Sequence, residues 1–134
     1  MTVRSNPGWS ARLSASLARD LPRTMSAGME QVEQEAKRIV YLGHPHHLNR
    51  GTGRLRASIT TACRTGDGTI SASVGTSLSY APTHEFGAVI SRPDGSVSVI
   101  PARPFLLPAF SAKKDTLSRT VARRVKDMVK EECR

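Results

Sequence analysis

The chain has 134 residues, 20 Lys and Arg against 11 Asp and Glu, and a formal net charge of +9 at pH 7. That length suits one domain with a modest core, and the charge favours an acidic partner, whether nucleic acid, a membrane surface or an acidic protein face. Cys63 and Cys133 form no CxxC pair and fit a reduced cytosolic setting, while no apolar run is long enough for a bilayer span and the N-terminus has no apolar signal core.

Residues 1–9 hold turn formers without periodicity and read as a loose arm. Ser10 is placed to cap a first helix. Leu13, Leu17 and Leu21 recur at helical spacing, Pro22 interrupts, and Met25, Met29, Val32, Ala36, Ile39 and Val40 resume the stripe. This pattern predicts a long N-terminal helix, kinked or broken near Pro22 and stopped at Gly43. Residues 43–53 form a basic loop containing His44, His46, His47 and Arg50, and residues 54–58 a short helical turn. Strands are expected over 59–64 and 69–75, joined by an Asp-Gly turn that supplies positive φ. In the second of them Ile70, Ala72 and Val74 alternate with serines. Residues 80–86 read as a turn or short helix, and 88–91 with 96–100 as a second hairpin. A last helix starts between Pro104 and Pro108, with Phe110, Leu117, Val121, Val125 and Met128 on its apolar face. Lys113, Lys114, Arg119, Arg123, Arg124 and Lys126 occupy its other face. The predicted class is α+β: a long N-terminal helix, a four-stranded antiparallel sheet built from two hairpins, and a C-terminal helix, with the helices on one face of the sheet.

Residues 75–110 are the centre of this organisation. Aromatics are only 4% of the chain, yet Tyr80, Phe86, Phe105 and Phe110 all fall here, among Pro82, Pro101, Pro104 and Pro108. Rigid backbone and scarce large rings predict a shaped corner. Its members are Tyr80, Pro82, His84, Glu85, Phe86, Gly87, Arg103, Pro104 and Phe105. Phe86 and Phe105 are expected to be buried and packed together, and Arg103 to pair with Glu85, the one acidic residue of the two clusters.

The two clusters, Tyr80-Ala-Pro-x-His-Glu-Phe-Gly87 and Pro101-Ala-Arg-Pro-Phe105, follow an upstream Thr52-Gly-Arg-Leu-Arg-Ala-Ser-Ile59. Taken in that order, the three blocks resemble the signature of the tail-completion, or neck, proteins of long-tailed bacteriophages, also known as minor tail or virion morphogenesis proteins. The blocks cover about the central half of the chain. The resemblance implies a structural virion protein of a phage or prophage in the head–tail joining region. It also implies a homo-oligomeric ring, for example a hexamer, that meets the head-side connector and the tail tube or tail terminator around double-stranded DNA. The histidine-bearing connection over 36–51 has no counterpart in that resemblance.

The residues themselves offer little catalytic chemistry. His44, His46, His47 and His84 with Glu85 are the only metal-ligand candidates, and no His pair has the helical i, i+4 spacing of a zinc site. Phosphate loops and nucleophile elbows are absent from the sequence. The expectation is a binding protein without cofactor, metal or membrane partner. Lys37, Arg38, Arg50, Arg54, Arg56 and Arg64 lie in a stretch, 36–66, without a single acidic residue. They are candidate contacts to DNA phosphates or to an acidic neighbouring subunit. A basic nucleic-acid-binding accessory protein outside the virion is the alternative class.

Overall fold

The computed structural model describes residues 8–42 and 53–132. Helix α1 spans Trp9–Leu42, α2 Arg54–Ser58, α3 Ala81–Phe86 and α4 Leu106–Glu132; strands β1 to β4 span Thr60–Gly66, Thr69–Gly75, Ala88–Ser91 and Val97–Ile100. The α+β class and the element order match the sequence expectation. Gly43, His44, His46, His47 and Arg50 lie outside the described residues, as does most of the loop over 43–53.

Helix α1 runs unbroken through Pro22, so of the two expected outcomes, a kink or a break, the break is absent. A proline inside a helix costs about 3 kcal/mol or more, and contacts on both sides of it offset that cost. Towards the N-terminus, Arg12 and Ser16 reach Glu132 at 3.3 and 2.9 Å, and Arg124 reaches Asp20 at 2.7 Å. Towards the C-terminus, Met29, Val32 and Ala36 are buried. Ser10 sits inside the first turn rather than at the cap, where the Gly8 carbonyl accepts from the Arg12 amide.

These contacts make α1 and α4 an antiparallel pair, one end tied by charges and the other by apolar packing. The bare Cα of Gly28 permits the close approach: a Cβ there would lie 2.1 Å from Leu117 Cδ1. On α4 the inward positions are Ala109, Leu117, Val121, Val125 and Met128, while Phe110 is turned away and exposed, contrary to the sequence expectation.

Strands β1 and β2 pair antiparallel over their full length, turning through Asp67 and Gly68 at φ 49° and 74°. One face of this ribbon lies on α1, where Thr61 Oγ1 donates to Glu33 at 2.7 Å. Strands β3 and β4 pair only with each other, in register Val89 to Val99. The four strands therefore make two two-stranded sheets and not one four-stranded sheet. Helix α3 and the bend at Gly87 separate the hairpins and redirect the chain between them. The main core gathers Met29, Val32, Ala36, Leu55, Ile59, Ala81, Phe105 and Ala109.

Candidate functional site: the corner and its apolar shelf

Helix α3 is short and held at both ends. The Ala81 amide donates to the Leu78 carbonyl, Pro82 occupies the first turn, and the Gly87 amide donates to the Thr83 carbonyl at 2.9 Å. Gly87 then takes φ 76°, with the chain passing so close that a Cβ would stand 2.8 Å from the Ile100 carbonyl oxygen and 3.0 Å from the Ala102 nitrogen. Only glycine meets both demands. The Arg103 amide donates to the His84 carbonyl at 2.6 Å, strapping the second cluster to the first.

This strap places the buried Glu85 carboxylate at the start of α4. Its Oε2 accepts from the amides of Phe105 and Leu106 at 2.8 and 3.0 Å, and its Oε1 from that of Leu107 at 2.9 Å. The first amides of a helix have no intrahelical acceptor and carry the positive end of its dipole. Helix α4 has no acidic residue in its own first turn, so the capping charge comes from 20 residues upstream. The expected Glu85–Arg103 pair does not form, because the carboxylate is engaged by three amides. Arg103 Nε and His84 Nδ1 are buried without a hydrogen-bond partner among the described residues. The His84 ring meets Tyr80 edge-on, with centroids 5.8 Å apart.

The two phenylalanines part company. Phe105 is fully buried, as expected, whereas Phe86 is 78% exposed, which corrects the expected pairing. Neighbours on a helix point about 100° apart, so turning Glu85 inward to cap α4 turns Phe86 outward. Phe86 lines an open groove of about 530 Å³ together with Met29, Val74, Pro82, Leu107 and Phe110. Two residues later begins the β3–β4 hairpin, whose Val89, Val97 and Val99 share one face by register and are all exposed, Val99 by 71%. Groove and exposed hairpin valines, which follow one another in the chain across Gly87, together make up the apolar shelf. Sequence reasoning placed these elements but not their exposure; the signal was an alternating hairpin with no neighbouring apolar segment to cover it.

Among the described basic candidates, Arg64 stands apart from the others. Lys37 pairs with Glu33 at 2.6 Å and Arg38 with Glu35, both within α1. Arg54 is exposed on α2, and Arg56 lies over the Tyr41 ring, 4.9 Å from its centroid. Arg64 is exposed on β1, next to Cys63, whose Sγ reaches the Pro22 carbonyl at 3.8 Å. That contact puts Arg64 beside the first half of α1, far from Lys37 and Arg38 in its last turns. The Lys37 ammonium and the Thr61 hydroxyl hold the Glu33 carboxyl below its ordinary pKa, and Arg19 and then Arg124 do the same for Asp20.

Among the described residues no three His, Cys, Asp or Glu side chains group to hold a metal ion, and no helix is long and apolar enough to cross a membrane. Comparison of the chain with protein-family models, with curated proteins and with solved structures finds no match.

Proposed function

We propose that the chain is a structural protein of a tailed phage or prophage virion, acting in tail completion at the neck as one subunit of a homo-oligomeric ring. Its neighbours would be the head-side connector and the tail tube or tail terminator. The ring is put together in the host cytoplasm and stays in the virion. In this role the chain turns over no substrate and needs no cofactor.

The observation that carries the proposal is the apolar shelf. Contiguous exposed apolar surface marks interaction sites, and an isolated two-stranded hairpin is marginally stable in water, so β3–β4 calls for cover. The chain offers an exposed apolar ridge, the hairpin, and, on the other side of Gly87 in the chain, a concave apolar groove. Inserting the ridge of one copy into the groove of the next makes a heterologous contact, the kind that closes into rings. Charge permits this. The hairpin carries one Arg and one Asp, Arg92 and Asp94, and among the described residues the one charged residue lining the groove is the amide-bound Glu85. Copies of a +9 chain can therefore meet here without apposing their basic surfaces. The order of the three motif blocks supports the neck assignment within this class.

Electron microscopy and native mass measurement of the purified chain test the reading. Closed rings are expected from the wild type, and folded monomers from Val97→Asp/Val99→Asp. A wild-type chain that remains monomeric at all concentrations, or a double variant that still closes rings, overturns it.

A further inference from the structure

The outward face of α4 has a different character from the shelf. Arg119, Arg123, Lys126 and Lys130 follow one another at spacings of four, three and four residues, which stacks them on one side of an α-helix. All four are exposed, and none makes an ion pair among the described residues. The Arg119 Nε turns back to the Asp115 carbonyl at 3.3 Å. Asp20 and Glu132 are engaged across the α1–α4 seam, Asp20 with Arg124 and Glu132 with Arg12 and Ser16, and Asp20 also pairs with Arg19 of its own helix. Asp115 and Asp127 stand at the margins of the stripe and leave it a cationic surplus. Along its flank runs a groove of about 370 Å³ between α1 and α4, lined by Arg23, Thr24, Gln31, Thr116 and Thr120.

We propose that this face binds the phosphate backbone of double-stranded DNA without sequence preference. Regularly spaced Arg and Lys, bordered by hydroxyl and amide side chains, are the groups that contact phosphates and sugars. The stripe extends about 16 Å along the helix axis, the length of about five base pairs. An acidic protein partner fits less well, because protein interfaces are depleted of Lys and built on apolar or aromatic anchors at their centre; between the four cations the stripe offers none. Single-stranded nucleic acid would call for stacking aromatics. The one aromatic of α4, Phe110, lies instead in the apolar groove at the helix's other end. The proposal goes beyond the ring reading and does not depend on it, since stripe and shelf occupy different parts of α4.

The test is fluorescence anisotropy of the full chain with a labelled 30-base-pair duplex of arbitrary sequence over a series of salt concentrations. With all four cations engaged, the logarithm of the binding constant should fall against the logarithm of salt with a slope of about −3 to −4. Each single change to Gln should flatten that slope by about 1. The quadruple variant R119Q/R123Q/K126Q/K130Q should lose binding by about 100-fold or more at low salt with an unchanged circular dichroism spectrum, whereas R119K/R123K keeps it. Measuring Val97→Asp/Val99→Asp alongside separates the two readings: retained DNA binding by that monomer shows the stripe acting without a ring. No binding by the wild type, wild-type binding by the quadruple variant, or polyglutamate bound as tightly as the duplex would each overturn the proposal.

Discussion

Glu85 and Phe86 are neighbours in the chain and belong to two different regions of the molecule. On the inner side of the corner, Glu85 caps α4 and Phe105 fills the core, with both carboxylate oxygens of Glu85 satisfied by backbone amides. On the outer side, Phe86, Leu107 and the hairpin valines form apolar surface that the described residues leave uncovered. The difference teaches that one short helix divides its residues between folding and association. Substitutions on the two sides should therefore separate into those that unfold the monomer and those that only prevent assembly.

The largest effect should come from the inner side. Phe105→Ala is expected to destabilise the monomer by about 3–5 kcal/mol, read from urea unfolding. Gly87→Ala comes next, at about 2–3 kcal/mol, because the added Cβ meets backbone atoms at a positive φ that suits glycine. Glu85→Gln, which replaces one accepting oxygen by a donor facing donors, is expected to cost about 1.5–3 kcal/mol; a variant as stable as the wild type would show that the cap contributes nothing.

Phe86→Ser sharpens the contrast from the other side. Its effect on monomer stability should stay within about 0.5 kcal/mol, as for exposed positions generally, while sedimentation should show assembly lost. If it unfolds the monomer, the two sides are not separable.

The smallest expected effect is electrostatic. Glu33 and Asp20 titrate below their ordinary values in the folded chain. Their contribution is complete above the ordinary carboxylate range, about pH 4, and is lost as pH falls from there through the lowered folded-state values. Glu33→Gln should therefore lower stability slightly at neutral pH and leave it unchanged near pH 2. A loss of equal size at both pH values would assign the effect to packing.

Much of the fold was legible because its signals are local. The apolar stripe over Met25–Val40 and the serine alternation around Ile70, Ala72 and Val74 record helix and strand periods directly, and Asp67-Gly68 carries its own turn geometry. The corner was legible as a place, since rings and prolines crowd there. Its internal arrangement was not. Whether Phe86 faces in or out depends on where the start of α4 lies when Glu85 reaches it, and that contact spans 20 residues.

The sequence by itself determined the element types, their order and the positions of the turns, because each follows from backbone preference and side-chain period within a few residues. Only the tertiary structure decided that α1 continues through Pro22, that the hairpins pair apart, and that Glu85 faces three amides instead of Arg103. It also decided which basic residues stand unpaired on the surface. Each of these outcomes balances a local cost against contacts between residues distant in the chain, and such contacts exist only once the elements have packed.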